Sequence, residues 1–375
     1  MAKSTLLIFT NLYPSSVQPT KAMFNFQQYK ALAEMCDLRF LVPVPWLLWF
    51  KHRSTFKNQP DYPNATYFPF FYVPGVFRGL NSVFMLLSVL ICPRAWHAFK
   101  RAKLVLSSWA FPDGVVGAWL KKRYGFRLFI QCLGSDINMH QQHWLRRIQL
   151  RSAFKKADGV VTVSQDLAQK VTAIEPSSRV RTIYNGVDFQ RFPLISRTLN
   201  STDIVFIGNM ITTKGVFELL QALKLLATPE IRLHMVGSGP ELKRLKVLAE
   251  QLGISGQITF HGALPHADVA TVLHQCKLLV LPSYREGVPN VIMESLASGI
   301  PVVATRVGGI PEVVSQQSGI LIDSYQPTDI AHGIQTAISA EWEPAKIRHS
   351  VAEFTWAKNS QEMCEFLGIE HAIPE

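Results

Sequence analysis

The chain contains no CxxC pair, and its five cysteines (Cys36, Cys92, Cys132, Cys276 and Cys364) are scattered over 375 residues. That spacing excludes a disulfide framework and a structural zinc site, and it suits a reducing compartment. No Asp-x-Asp pair is present. His140 and His143 have helical spacing but lack a nearby third ligand, so no essential metal is expected. The apolar run 83–92 is too short to span a bilayer. The run 6–9 after Met1-Ala2-Lys3 is too short for a signal-peptide core and reads as a strand. Acidic residues are scarce in one half: residues 1–200 hold 26 of the 38 Lys and Arg but 9 of the 27 Asp and Glu. Such asymmetry implies that the N-terminal half meets something anionic, either lipid, a phosphorylated acceptor or nucleic acid. No nucleic-acid module or regular basic–aromatic repeat accompanies it, so nucleic acid is set aside.

What is present is apolar and periodic. With 48% hydrophobic residues the chain has material for two cores, and its length favours two domains. Near-continuous apolar runs at 6–10, 38–44, 104–108, 128–132, 159–163 and 180–183 alternate with helical stretches. This is the pattern of a parallel sheet covered on both faces. Residues 186–202 lose the pattern. It restarts at 204–207 and continues through 232–236, 258–260, 278–281, 301–304 and 319–322. The expected architecture is α/β with two Rossmann-like domains facing across a cleft. The boundaries are an N-terminal Rossmann-like domain 1–190, a linker 191–202, a C-terminal Rossmann-like domain 203–355, and a helical segment 356–375 crossing back to the first domain. The tail 341–367 reads as helical, anchored by Trp342, Phe354, Trp356 and Phe366.

Several loops carry candidate chemistry. Glu286 and Glu294 stand eight positions apart around Gly287, Val288, Pro289 and Asn290. Pro289 suits a first helical position, and the unpaired N–H groups there favour an anion. A solvated helix face is the plain alternative, but the strand-to-helix context favours a site. In the loop from Gly208 and Asn209 to Lys214 and Gly215, the lysine could reach a phosphate or be an ordinary surface residue. The loop at Gly237 could touch a ligand or be a simple turn. Gly308 and Gly309 could admit a diphosphate, with helix donors expected from Pro311, or form a structural turn. Asp136 would cap a helix or face the cleft. Residues 45–53 and 70–103 mix aromatic, apolar and basic residues. They read as an interfacial surface with tryptophans at headgroup depth, or as buried core.

Together these motifs resemble family 4 of the retaining glycosyltransferases with the GT-B fold. The resemblance rests on Glu286 and Glu294, on the loop Gly208 to Gly215, and on Tyr184-Asn185-Gly186-Val187-Asp188. It rests also on residues 157–164 (ADGVVTVS), 299–305 and 308–312. It implies that Glu294 binds ribose hydroxyls and Glu286 the donor sugar, with backbone N–H groups of 287–290 assisting. Lys214 would neutralise the diphosphate leaving group, and Asp136 would lie near the donor sugar or acceptor. It further implies a UDP- or GDP-linked sugar donor, no other cofactor, and a lipid-linked or oligosaccharide acceptor. The expected location is cytoplasmic, peripheral on an anionic inner membrane face. Three positions depart from the family pattern: Asn209 replaces an arginine, residues 10–24 lack a glycine loop, and Leu133 replaces a histidine. Arg285 or Arg306 could supply the missing cation. The departures keep two alternatives open, a non-catalytic GT-B subunit and a nucleotide-sugar epimerase.

Overall fold

A computed structural model describes residues 3–19, 21–73, 77–139, 142–194 and 201–369. Residues 195–200 of the expected linker, His140, and the tail 370–375 lie outside that range. The chain divides into two compact units, Met1–Tyr184 with Trp356–Glu375, and Asn185–Thr355. Residues 185–190, grouped with the N-terminal domain from sequence, thus lie in the second unit.

The first unit is built on seven strands: β1 (Thr5–Phe9), β2 (Asp37–Pro45), β3 (Ala65–Phe70), β4 (Leu104–Ser108), β5 (Arg127–Cys132), β6 (Gly159–Thr162) and β7 (Val180–Thr182). Their order is β3-β2-β1-β4-β5-β6-β7, and every pairing is parallel. Leu6, Ile8, Leu106 and Phe129 are fully buried, as expected where helices cover both faces. The expected A-D-x-V segment has structural work to do. Asp158 accepts the Leu128 N–H at 2.6 Å and Lys121 Nζ at 2.7 Å, and Ser164 caps helix Gln165–Ile174 through the Leu167 N–H at 3.2 Å. The strand β3 has no counterpart among the predicted runs. It lies at the sheet edge and carries Pro69, which only an edge tolerates.

The predicted continuous tail helix is instead two helices, Pro344–His349 in the second unit and Trp356–Leu367 in the first. The latter packs on helix Met23–Met35 and sets Phe366 edge-on to Phe129 at 5.5 Å. A buried chain of amides holds it there. Ser108 Oγ donates to Gln131, Gln131 to Gln28, Gln28 to Asn359, and Asn359 to the Tyr184 carbonyl, at 2.9, 3.0, 3.1 and 2.7 Å. Inside a low-dielectric core every member of such a chain needs its partner.

Helix Asn81–Ile91 has two apolar faces. Ser82, Met85, Ser88 and Val89 are buried, whereas Val83, Leu87, Leu90 and Ile91 are exposed. Leu47 and Phe50 of helix Trp46–Lys51 are exposed too. Of the tryptophans in these segments, Trp46 and Trp96 are half-buried. Trp49 is buried and stacks on Phe56 at 5.5 Å, and Trp46 donates to the Tyr72 carbonyl at 3.0 Å. Among the described residues no single helix is long and apolar enough to cross a membrane. None of the five cysteines is joined in a disulfide.

The second unit has six parallel strands: β8 (Ile204–Ile207), β9 (Leu233–Val236), β10 (Ile258–Gly262), β11 (Leu278–Leu281), β12 (Val302–Thr305) and β13 (Gly319–Ile322), ordered β10-β9-β8-β11-β12-β13. Strand order reverses between β8 and β11, so the loops leaving those two strands diverge and leave a crevice at their carboxyl ends.

Candidate functional site

The loops after β8 and β11 carry the residues that matter most. Lys214 closes the β8 loop and Glu286 lies in the β11 loop. Lys214 Nζ and Glu286 Oε1 meet at 2.5 Å, and both side chains are largely buried. A buried ion pair stabilises little net of desolvation, but removing one partner leaves an uncompensated charge. Each group therefore supplies the charge that the other needs.

Two glycines bring these loops together. Gly215 has φ 67°, and a Cβ there would stand 2.0 Å from the Pro282 carbonyl oxygen. Gly308 has φ 56°, and a Cβ there would stand 2.1 Å from the Glu286 carbonyl oxygen. The nearest atoms to both belong to other loops of the unit, so each glycine permits close packing of loop on loop. The Gly309 N–H donates to the Gly287 carbonyl at 2.8 Å, and the Gly208 N–H to the Val236 carbonyl at 2.9 Å. Likewise the Gly237 N–H donates to the Gly262 carbonyl at 2.7 Å. The helix expected from Pro311 is only a three-residue turn, Ile310–Glu312, so it adds no row of free donors.

Helix Asn290–Ala297 starts one residue later than expected, with Pro289 as its N-cap in extended conformation. Val288 is buried beneath that start. Asn290 Oδ1 accepts from Asn185 Nδ2 at 2.9 Å, so the Asn-Gly-Val-Asp element steadies the helix start. Its aspartate, Asp188, accepts the N–H groups of Gln190 and Arg191 at 3.1 Å each. That turn presents Arg191 to His266 Nδ1 at 2.7 Å, and His266 Nε2 stands 2.7 Å from Glu294 Oε1. A guanidinium can only donate, so Nδ1 accepts and the ring proton sits on Nε2, aimed at the carboxylate. Sequence reading found Glu294 but missed Arg191 and His266, which lie 103 and 28 positions away from it and share no local pattern with it.

Tyr284 was missed as well. Its hydroxyl donates to Glu218 Oε1 at 2.6 Å, and its N–H to the Thr213 carbonyl at 2.9 Å, which ties the Glu286 loop to the Lys214 loop. Burial and the Glu218 carboxylate push its phenol up to about 12. The cations considered as substitutes at Asn209 divide. Arg306 is engaged with Asp323 at 2.6 Å, whereas Arg285 is exposed. Asn209 itself is exposed.

Asp136 occupies the first unit and is fully buried. Its carboxylate accepts the N–H groups of Ala110, Gly134 and Leu133 at 2.9, 2.8 and 3.0 Å. Burial lifts it to about 6 against the pull of those donors. The N-cap of helix Ser135–Asn138 is Gly134, with no side chain capping it, so Asp136 does not cap that helix; its carboxylate instead ties the Leu133–Gly134 turn to the Ala110 backbone. Nearby Asp113, which sequence reading did not single out, is also fully buried. It accepts the Asn11 N–H at 2.9 Å and is lifted by burial to about 7. Among the described residues no group of three His, Cys, Asp or Glu is arranged to hold a metal ion.

Two family models tile the chain. The model for glycosyl transferases group 1 matches residues 194–354, and that for glycosyltransferase family 4 matches residues 50–191. The putative teichuronic acid biosynthesis glycosyltransferase TuaC of Bacillus subtilis is 26% identical over 360 residues, covering 88% of each chain. Among solved structures, sucrose-phosphate synthase from Thermosynechococcus elongatus superposes with TM-score 0.78 at 20% identity, over 97% of this chain and 98% of that one. Anabaena HepE in complex with UDP superposes with TM-score 0.75 at 19% identity, over 97% and 99%. At these identities the superpositions establish the fold, GT-B with two Rossmann-like domains.

Proposed function

The chain belongs to the family 4, group 1 glycosyltransferases, and from that premise we propose that it moves a sugar from a UDP- or GDP-linked donor to a lipid-linked or growing polysaccharide acceptor, with retention at the anomeric carbon. The observations that carry this reading are the Lys214–Glu286 pair, which joins the loops after β8 and β11, and the Arg191–His266–Glu294 relay of the same unit. Donor binding exchanges partners: the diphosphate takes over Lys214, and a sugar hydroxyl takes over Glu286. Lys214 then neutralises the charge that builds on the departing diphosphate oxygen, the largest electrostatic demand of the reaction. Glu294, held by His266, accepts the ribose hydroxyls, and the N–H groups of residues 287–290 assist. The acceptor hydroxyl attacks on the face the diphosphate leaves. Asp136 acts indirectly, by clamping its loop. HepE, solved with UDP, supports the donor class, and the name of TuaC supports a polysaccharide acceptor.

The exposed residues Leu47, Phe50, Val83, Leu87, Leu90 and Ile91, with Lys51, Arg53 and Arg94 nearby in sequence, support peripheral attachment to an anionic membrane on its cytoplasmic side. The test is a thermal-shift screen against UDP, GDP, ADP, CMP and dTDP, followed by turnover of the corresponding sugars. One diphosphate should raise the midpoint selectively. Glu294→Ala should reduce the shift and abolish turnover, and near-normal turnover in that variant would sink the site assignment. Binding without transfer would favour a non-catalytic subunit. Sugar conversion without an acceptor would favour an epimerase.

A further inference from the structure

The first unit carries a cavity of about 790 Å³ at the starting ends of its strands, remote from the loops that follow them. Thr5, Arg39, Thr66, Leu104 and Arg127 reach it from β1 to β5 in turn. Arg101 closes helix Pro93–Arg101, and Lys103 lies in the turn entering β4. Four cations from separate segments thus line one concave surface. Arg39 is bonded to Asp37 at 3.2 Å, but both side chains are well exposed and such a pair contributes little. Among the described residues Arg101, Lys103 and Arg127 form no salt bridge. Arg127 is held over the Phe129 ring, 5.4 Å from its centroid, so its guanidinium is oriented rather than waving in solvent.

Gathering like charges without compensation is unfavourable, and a bound anion removes the cost. We propose that this cavity binds a phosphate group, presented either on a soluble phosphate ester or on a lipid headgroup. Guanidinium forks and an ammonium are the side chains that hold a phosphate through charge-assisted hydrogen bonds. Thr5 and Thr66 add hydroxyls, and Leu7 and Phe40 give the attached moiety an apolar wall. The site lies wholly in the first unit, so it stands or falls independently of the donor site in the second.

The full chain and the double variant Arg101→Glu/Arg127→Glu should be compared by hydrogen-exchange mass spectrometry. Both residues are exposed, so the fold is expected to survive, and Arg101→Gln/Arg127→Gln provides a milder control. Inorganic pyrophosphate is the soluble probe, repeated with Lys214→Ala to subtract any binding in the second unit. Vesicles with phosphatidate, against phosphatidylserine vesicles of matched surface charge, form the lipid arm. Protection of the segments around Arg39, 101–104 and Arg127 by pyrophosphate would identify a soluble ester. Protection by phosphatidate vesicles alone would identify a headgroup. In either case the double variant should bind at least roughly tenfold more weakly, since it loses two cations that donate charge-assisted hydrogen bonds. Protection by neither probe, equal protection by both vesicle types, or undiminished protection in the double variant would overturn the proposal.

Discussion

Glu294 owes its orientation to residues that are distant in the chain. With Arg191 donating to one ring nitrogen of His266 and the other nitrogen donating to Glu294, the carboxylate is held ready before any ligand arrives. Replacing Glu294 by Ala should weaken nucleotide binding roughly tenfold to hundredfold, the loss expected when charge-assisted bonds vanish. His266→Asn should cost less and act through KM rather than kcat, because the ring orients a binding group; steady-state kinetics separate the two. Lys214→Ala should instead lower kcat by about 10²–10³, the usual loss on removing one stabilising donor from a developing charge. A residue-scale effect on stability comes from Asp113. Burial raises its carboxyl to about 7, so the folded state prefers the protonated form. The stability it contributes is fully present below the ordinary carboxylate range and is lost as pH rises through about 7. Thermal midpoints should therefore fall between pH 5 and 8 by an amount that Asp113→Asn flattens.

At the scale of elements, loops pack on loops in the second unit. Gly308→Ala would push a methyl into the Glu286 carbonyl and also strain a left-handed backbone. It should destabilise the unit by about 1 kcal/mol or more and shift the Glu286 loop, so nucleotide affinity should fall although no ligand contact is removed. Isothermal titration with the diphosphate found in the screen checks this. Helix Asn81–Ile91 offers a paired test, because its two faces do different work. Met85→Ala, on the buried face, should cost about 2–5 kcal/mol in denaturant unfolding. Leu87→Glu with Ile91→Glu, on the exposed face, should leave unfolding unchanged but abolish flotation with anionic vesicles. The strand β3 shows why an element can escape sequence reading. Its segment Ala-Thr-Tyr-Phe-Pro-Phe carries a proline that argues against a strand, and only its edge position makes that harmless.

For the molecule as a whole, two sheets and an uneven charge are the governing facts. The 26 cations among residues 1–200 should make vesicle association sensitive to salt, weakening steeply as ionic strength screens the first unit. Strand–helix alternation and two Rossmann-like units were legible in the chain, and Glu286, Glu294 and Lys214 stood out there as candidates. Buried parallel strands are written as continuous apolar runs, and the charged candidates sit in short motifs with local spacing. The tertiary structure alone decided which partners those residues have. It paired Lys214 with Glu286, brought Arg191 and His266 to Glu294, and turned Asp136 inward onto three backbone N–H groups. Periodicity records which face of an element is buried, but a contact between residues far apart in sequence depends on strand order and loop packing, which no local pattern encodes.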